Sequence, residues 1–302
     1  MNELLILTSP PASGKTFWIE SMAHATETQI LVISPLRALA DECRHKWKDK
    51  ILVMTPEEWL LKKTQGEIVI FDEFHLLFYW GDSFRPLMWE VFESLSIEAK
   101  LVIGLTATFA PEMQEAMERF RCGFDEIYWR DAGNQSLKWT PERYYKVHRS
   151  LLHRSIFGLP LERTSLIFCQ YRHEVEIWEK KLSARGFRVW GCRGGEASAF
   201  SKRVQLEPAP DFIVATTVLS HGVNLPSIRR VFFLYPVGNK DFWIQMTARG
   251  GRRGEKFEVF ALEPPHGLRW SKSKNLFHCA TLYLRILVAD FLDQLDQCFL
   301  KE

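Results

Sequence analysis

Short apolar runs alternate along the chain with segments in which apolar residues recur every three or four positions. A continuous apolar run bounded by polar residues is typical of a strand buried on both faces, and the longer spacing is typical of a helix packed by one face. In the first half of the chain, the runs that predict strands are 4–7, 30–33, 51–54, 68–71 and 101–105. This alternation predicts a parallel sheet covered by helices, as in an α/β domain.

The pattern continues after these strands and then pauses. It predicts a helix over 111–121 and an edge strand over 126–129. The stretch 130–141 has few apolar residues and contains glycine, asparagine and proline, a composition typical of a linker.

A second alternating series follows that linker. Its predicted strands and helices cover 166–169, 173–185, 187–190, 198–206, 212–215 and 231–234. The series predicts a second parallel α/β domain. We therefore expect a first domain at 1–132, a linker at 133–141, a second domain at 142–270 and a C-terminal helix at 271–302.

The C-terminal helix has apolar residues at three- and four-residue steps: Leu276, Phe277, Ala280, Tyr283, Leu284, Leu287, Val288, Phe291, Leu292 and Leu295. An apolar stripe of this kind packs against another part of the protein or against a partner. Two interpretations remain open at this point. The helix packs on the second domain, or it offers a surface to a protein partner or to a second copy of the chain.

Composition narrows the class of protein. Of 302 residues, 46% are hydrophobic and 25% are charged, as in soluble globular proteins. The net charge of +2 means that any nucleic-acid site would be a local groove. Six scattered cysteines without a Cys-x-x-Cys pair indicate reduced thiols and no zinc or iron–sulfur cluster. With no signal peptide or membrane-length apolar stretch, we expect a cytoplasmic, or nucleoid or nuclear, protein that is not secreted and contacts no membrane.

The segment 9–16, Ser-Pro-Pro-Ala-Ser-Gly-Lys-Thr, joins the first strand to a helical pattern. A loop in that setting directs backbone N–H groups, including those of Ser13 and Gly14, towards a polyphosphate. Lys15 can reach the β and γ phosphates, and the Thr16 hydroxyl can ligate Mg²⁺. Ser9 stands where the usual pattern has its first glycine. The alternative is an ordinary turn with a surface lysine.

An acidic pair, Asp72-Glu73, follows the predicted strand 68–71. An acidic residue at the end of a buried strand is costly unless a cation or hydrogen-bond donors compensate it. Beside a phosphate-binding loop, Asp72 can hold the Mg²⁺ shell and Glu73 can orient or deprotonate the attacking water. A solvated strand end is the alternative interpretation.

Seven segments, in this order and spacing, resemble the motifs of superfamily-two DExH-box helicases. Those similar to motifs I, Ia, Ib, II and III are 9–16, 34–40, 55–57, 72–75 and 106–108. Segment 216–226 resembles motif V, most closely the version of the Ski-like branch, and 245–252 resembles motif VI with Ala248 in place of a glycine. The resemblance implies two tandem RecA-like domains that use ATP and Mg²⁺.

The resemblance also assigns roles to single residues. It implies catalytic roles for Lys15, Glu73, Gln245, Arg249 and Arg252. Arg249 and Arg252 would share a helix face, one of them acting as an arginine finger. The other implied roles are nucleotide binding by Gly222 and Asn224, coupling by His75, Thr106 and Thr108, and nucleic-acid binding by Arg37, Thr55, Arg172 and Thr216.

We therefore expect an ATP-dependent helicase or translocase acting on single-stranded or partly duplex RNA or DNA. The alternative is a helicase-derived, nucleotide-switched clamp or partner-binding module without processive unwinding. Only eighteen residues separate Pro226 from Gln245, too few for the strand-separating hairpin of Ski-like helicases, and the chain looks like a minimal two-lobe form. ATP hydrolysis is thus better supported than unwinding. A small-molecule kinase would leave 216–226 and 245–252 unexplained.

Overall fold

The computed structural model describes residues 2–9, 13–47, 51–81, 85–108, 111–119, 124–131, 141–220, 223–252, 254–263 and 272–299. The chain divides into two compact units, Met1–Leu137 and Lys138–Glu302. Each unit contains a six-stranded parallel sheet, so the predicted fold class of two α/β domains is confirmed. The predicted linker 133–141 lies outside the described residues except for its last position.

The first unit follows the predicted alternation closely. Its strands are β1 Glu3–Thr8, β2 Ile30–Ile33, β3 Ile51–Met54, β4 Ile68–Phe71, β5 Leu101–Thr106 and β6 Glu126–Asp131. Its helices are α1 Lys15–Ala25, α2 Arg37–Lys46, α3 Pro56–Lys62, α4 Leu76–Gly81, α5 Leu87–Glu98 and α6 Pro111–Arg119. The strand order is β3-β2-β4-β5-β1-β6, with the predicted edge strand at one edge.

Burial explains why these runs form the centre of the sheet. All four residues of β2 are buried, as are the last five of β5. The edge strand β6 has no buried residue, which fits its single neighbour, β1. Strands covered on both faces must be apolar throughout, and this is the signal that the sequence carries.

The second unit contains elements that the sequence pattern did not predict, among them β7, α7 and β12. Its strands are β7 Arg143–Lys146, β8 Thr164–Phe168, β9 Val189–Cys192, β10 Phe212–Ala215, β11 Ile228–Phe233 and β12 Glu258–Ala261. Its helices are α7 Arg149–Gly158, α8 Arg172–Ser183, α9 Ala197–Leu206, α10 Lys240–Thr247 and α11 Lys272–Phe299, with a 3₁₀ turn at Thr217–Ser220. The strand order is β7-β12-β11-β8-β10-β9.

Strand β7 has a polar sequence, and the structure of this region depends on partners that are distant in the sequence. Strand β7 reads Arg-Tyr-Tyr-Lys and pairs with β12. The Tyr145 hydroxyl donates to the buried Glu258 carboxylate at 3.1 Å, and Arg285 of α11 donates to the same carboxylate at 2.7 Å. The Tyr145–Glu258 contact spans 113 residues and the Arg285–Glu258 contact spans 27, so no local periodicity reports them.

Helix α11 packs on α7 and β7 of the second unit, but with residues other than the predicted stripe. Leu282 and Ile286 are buried against these elements. Asn275 accepts a hydrogen bond from the backbone N–H of Lys146 at 2.9 Å. The described members of the predicted stripe are all exposed: Leu276, Phe277, Ala280, Tyr283, Leu284, Leu287, Val288, Phe291 and Leu292. Across the part of the chain that the structure describes, α11 and the other helices are too short or too polar to cross a membrane.

Candidate functional site

The sheet order of the first unit brings three candidate segments together. Strands β4, β5 and β1 are neighbours and run parallel, so their carboxyl ends lie at one edge. The acidic pair follows β4, Thr106 ends β5, and the phosphate-binding loop follows β1. Ligands of open α/β sheets bind at this edge. The backbone N–H of Ser9 donates to the Thr106 carbonyl at 2.9 Å, joining two of these segments directly.

The described part of the phosphate-binding loop has the geometry of an anion site. Gly14 has φ of 89° directly before α1, a left-handed conformation that favours glycine. No side chain caps the start of α1, so its first N–H groups can serve a ligand. The Lys15 ammonium donates to the Ser9 carbonyl at 3.1 Å, and the Ser9 and Ser13 hydroxyls contact each other. Thr16 is exposed, and residues 10–12 lie outside the described residues.

The acidic pair occupies an unusual backbone conformation. Glu73 has φ of 49°, which is rare for a residue with a side chain and costs about 1–3 kcal/mol. Three hydrogen bonds hold this turn: the Asp72 N–H to the Ile33 carbonyl at 3.0 Å, the Glu73 N–H to the Asp72 carboxylate at 2.9 Å, and the Phe74 N–H to the Leu105 carbonyl at 2.8 Å. Strain retained under such restraint is typical of functional sites.

A glycine in β5 makes room for this turn. The Phe74 ring is buried against Gly104, and a Cβ added there would lie 2.7 Å from the ring. We expect Gly104→Ala to displace Phe74 and to lower the free energy of unfolding by about 1–3 kcal/mol, as overpacking does. Chemical denaturation measures this loss. The control is Gly238→Ala, where an added Cβ meets nothing within 4 Å; equal stability of the two variants would contradict the prediction.

The electrostatics of the acidic pair suit a divalent cation. Burial of the Asp72 carboxyl and the charge of Glu73 raise the pKa of Asp72, although Lys15 opposes the shift. A raised pKa means that negative charge at this position lacks full compensation. A carboxylate and the Thr16 hydroxyl are hard oxygen donors, which Mg²⁺ prefers. The residues present therefore fit a magnesium ion held by Asp72 and Thr16.

His75 and Thr106 connect the acidic segment to the end of β5. Both side chains are fully buried, and the His75 Nδ1 lies 2.9 Å from the Thr106 hydroxyl. That hydroxyl donates to the Thr108 carbonyl at 2.6 Å. The Glu73 carboxylate lies 3.7 Å from the same His75 nitrogen. A change at Glu73 can thus reach the segment 106–108 through two side chains.

In the second unit, the structure corrects the expectation that Arg249 and Arg252 share a helix face. Helix α10 ends at Thr247, and both arginines follow in the turns beyond it. Arg249 is 2% exposed and donates three hydrogen bonds: two to the Ser220 carbonyl at 2.6 and 3.0 Å and one to the Val223 carbonyl at 2.7 Å. Its guanidinium therefore holds the loop after β10. The sequence motif gives no indication of this role.

Arg252 has a different environment from Arg249. Its side chain is exposed, and its Nε donates to the Ala248 carbonyl at 3.1 Å. Gln245 is buried in α10, whereas Asn224 is exposed in the loop before β11. Gly222 lies outside the described residues. Among the described residues predicted to act at the nucleotide in this unit, Arg252 and Asn224 have exposed side chains.

The four predicted nucleic-acid contacts fall into two groups. Arg37 and Arg172 are the first residues of α2 and α8, and both are exposed. Thr55 and Thr216 are buried. The Thr55 hydroxyl accepts from the Glu58 N–H and caps α3, so this side chain stabilises a helix start. The exposed arginines fit phosphate contacts better than the buried threonines do.

Two family profiles match the chain. The profile described as DEAD/DEAH box helicase matches residues 45–116, and that of the helicase conserved C-terminal domain matches 151–254. Together they cover more than half of the chain, one in each unit. The chain belongs to the superfamily-two helicases.

Individual relatives and solved structures agree with this placement. The chain is 24% identical over 238 residues to the ATP-dependent DNA helicase RecQ of Haemophilus influenzae, an alignment that covers 73% of this chain and 37% of that relative. Saccharomyces cerevisiae Dbp5 bound to RNA and ADP BeF3 aligns with a TM-score of 0.67 and 16% identity, covering 92% of this chain and 83% of Dbp5. Mycobacterium smegmatis Lhr bound to ssDNA and AMP-PNP aligns with a TM-score of 0.59 and 18% identity, covering 96% of this chain and 46% of Lhr. These superfamily-two structures share the fold of two RecA-like domains.

Proposed function

We propose that the chain hydrolyses ATP and uses it to move on, or remodel, single-stranded or partly duplex nucleic acid. The observation that carries the proposal is the meeting of Lys15, Asp72, Glu73 and Thr106 at one edge of the first sheet. The relatives and neighbours support it, because their names specify ATP-dependent DNA helicases or proteins bound to RNA or ssDNA with a nucleotide.

The first unit supplies the groups that bind the nucleotide and activate the water that attacks it. The N–H groups at the start of α1 and the Lys15 ammonium bind the β and γ phosphates. Asp72 and Thr16 would hold Mg²⁺, and the ion would supply positive charge to offset that of the phosphates. Glu73, held in its strained conformation, orients the attacking water and accepts its proton. The pair His75 and Thr106 passes the state of this site to segment 106–108.

The second unit supplies the arginine finger. Arg252 is exposed, and its guanidinium would contact the γ-phosphate and stabilise the charge of the transition state. Arg249 instead fixes the loop 220–223, which precedes Asn224. We thus propose Arg252 as the catalytic arginine and Arg249 as a residue that positions the nucleotide-binding loop.

Duplex unwinding is a separate question from hydrolysis. In the stretch 227–244, the structure contains β11 and most of α10, and these two elements leave no length for a strand-separating hairpin. This observation favours the alternative of a nucleotide-switched clamp or a translocase that does not separate strands. Placement in the Ski-like branch rests on the sequence of 216–226 and is also a proposal.

An unwinding assay distinguishes these alternatives. We expect ATP hydrolysis without efficient separation of a duplex of about 20 base pairs that carries a single-stranded overhang, because no element of the described chain acts as a wedge. Strand separation is followed by a fluorophore–quencher pair, with Lys15→Ala as the inactive control. Rapid separation of such duplexes by the parent protein, absent in Lys15→Ala, would overturn the clamp alternative and establish a helicase.

The exposed face of α11 is proposed to bind a second copy of the chain. The described part of this face is apolar and exposed, and antiparallel pairing of two copies would cover it. The expected result is a dimer that Leu284→Glu/Phe291→Glu converts to monomer, measured by sedimentation equilibrium. Leu206→Glu, at an exposed leucine of α9, is the control; a monomeric parent at tens of micromolar would contradict the proposal.

We propose the cellular compartment from the free, buried state of the cysteines alone. Cys43, Cys169 and Cys192 are free and buried, and burial raises the pKa of each thiol to about 12. Thiols of this kind are packing residues, as expected in a reducing cytoplasmic, nucleoid or nuclear compartment.

A further inference from the structure

A groove runs between α7 and α8 of the second unit and lies outside the residues that the proposed function uses. We call it the α7–α8 groove. Its lining combines apolar residues with a rim of three basic residues. The cavity measures about 160 Å³. The rim consists of Arg149, His153 and Lys181, and the floor consists of Leu152, Ile177, Trp178 and Leu234. Glu174 is the one acidic residue that lines it.

Packing inside the groove fixes the positions of its cations. The Trp178 indole packs edge-on against the His153 ring, with centroids 5.1 Å apart, and the Lys181 ammonium lies 5.4 Å from the indole centroid. Burial lowers the pKa of His153, and the positive charges of Arg149 and Lys181 lower it further. Arg149 and Lys181 therefore bring two positive charges to the groove, which favours an anionic ligand.

The single acidic residue of the groove is engaged elsewhere. The Glu174 carboxylate accepts hydrogen bonds from the backbone N–H groups of Gln170 and Tyr171, both at 3.0 Å. These bonds fix the turn between β8 and α8. Because the Glu174 carboxylate is hydrogen-bonded to backbone N–H groups, its negative charge repels an incoming anion less than that of a solvent-facing carboxylate would.

The turn that Glu174 fixes carries an exposed aromatic pair. The rings of Tyr171 and His173 stack with centroids 5.6 Å apart and an interplanar angle of 11°, and Tyr171 is 54% exposed. An exposed, nearly parallel pair presents a flat face on which a nucleobase can stack. Lys181 lies ten positions after Tyr171, about 15 Å along the helix axis. The aromatic pair thus lies at the start of α8, and the groove is lined by residues further along the same helix.

We propose that the α7–α8 groove, with the Tyr171–His173 pair, binds single-stranded nucleic acid: a base stacks on the pair, and backbone phosphates contact Arg149 and Lys181. The exposed aromatic pair favours this ligand over an acidic peptide, since bases stack on aromatic faces and carboxylates do not. Neither stacking nor phosphate contacts distinguish one base sequence from another, so binding is independent of the nucleic-acid sequence. This inference rests on the proposed function and extends it to a further binding track on the second unit.

The test measures binding of a labelled 20-mer of thymidine or uridine to the full chain without nucleotide, by fluorescence anisotropy over a range of salt concentrations. Tyr171→Ala is expected to weaken binding about tenfold, within the range for loss of one stacked base. Arg149→Ala/Lys181→Ala is expected to weaken it about tenfold at low salt and to reduce the slope of log K against log salt by about 1.4, because two phosphate contacts are lost. The matched control is Lys180→Ala/Lys202→Ala, which removes two exposed lysines that do not line the groove.

ATP hydrolysis without nucleic acid separates this inference from the proposed function. All three variants are expected to keep the parent's basal rate, since none alters the nucleotide site. If the parent binds the 20-mers but Arg149→Ala/Lys181→Ala binds with the parent's affinity and salt slope, the groove proposal is overturned while the proposed function stands. A variant that keeps its oligonucleotide affinity but loses binding to polyglutamate would assign the groove to an acidic peptide, which also overturns the proposal. A parent that neither hydrolyses ATP nor binds a 20-mer contradicts the proposed function itself.

Discussion

Glu73→Gln is expected to preserve ATP binding and to lower the turnover number by roughly 10² to 10⁴-fold, the contribution of a positioned general base. The amide retains the size of the carboxylate and can still contact water, but it cannot accept a proton. The substitution also leaves Asp72, Thr16 and Lys15 in place, so the nucleotide should bind with the parent's affinity. Steady-state hydrolysis gives the turnover number, and a fluorescent ATP analogue gives the affinity.

The matched control lies at the other end of the same strand. Glu67 precedes β4 at its amino end and is exposed, with its carboxylate 2.8 Å from the Lys100 ammonium. Glu67→Gln removes the same charge from the sheet but at the edge opposite the nucleotide, and it should hydrolyse ATP at the parent rate. Hydrolysis by Glu73→Gln at the parent rate would show that another group accepts the proton.

Arg252→Ala is expected to lower the turnover number by roughly 10³ to 10⁵-fold, the range for loss of an arginine finger. The folded state should be unaffected, because the side chain is exposed and its one hydrogen bond described above goes to a carbonyl four residues away. Hydrolysis rate and thermal melting temperature are measured together. Arg188→Ala, at another exposed arginine of the same unit, controls for the loss of charge.

Arg249→Ala provides the contrast that distinguishes the two arginines. It removes three hydrogen bonds from a buried guanidinium to the loop after β10, and bonds of charged donors contribute about 1.5–3 kcal/mol. The expected result is a lower melting temperature together with lower activity. If Arg252→Ala kept full activity while Arg249→Ala lost hydrolysis without loss of stability, the two roles proposed here would be exchanged.

The pattern of apolar residues in the sequence was sufficient to predict the strands that are buried on both faces. Runs such as 30–33 and 212–215 have the bounds that the structure shows, because double burial makes every position apolar. Strands β7 and β12 and helix α7 escaped prediction. Tyr145 and Glu258 are stabilised by each other and by Arg285, a contact that no local window contains.

In the candidate site too, some features could be predicted from the sequence and others could not. Residue types and spacing were enough to predict that the segments carrying Lys15, Asp72 and Glu73 lie at the same edge of the sheet, whereas the roles of these residues stay predictions. The left-handed conformation of Glu73 could not be predicted, because it depends on hydrogen bonds to β2 and β5. The separate roles of two arginines three positions apart also depend on where α10 ends, which the motif does not specify.

The stripe on α11 illustrates a limit of amphipathic patterns. The apolar spacing predicted a packed helix, and α11 does pack on the second unit. However, Leu282 and Ile286 make the buried contacts, while the longer stripe that includes Leu284 and Phe291 is exposed. A helix that is apolar on more than one side leaves the choice of the buried side to tertiary structure.

The most direct test of the central claim is ATP hydrolysis by the purified chain, alone and with single-stranded RNA, single-stranded DNA and duplexes, with Lys15→Ala measured in parallel. The account predicts hydrolysis that one class of nucleic acid stimulates and that Lys15→Ala abolishes. The class that stimulates most also identifies the substrate as RNA or DNA. No hydrolysis under any condition, or a rate that every nucleic acid leaves unchanged, would contradict a nucleic-acid motor and favour a module that requires a partner.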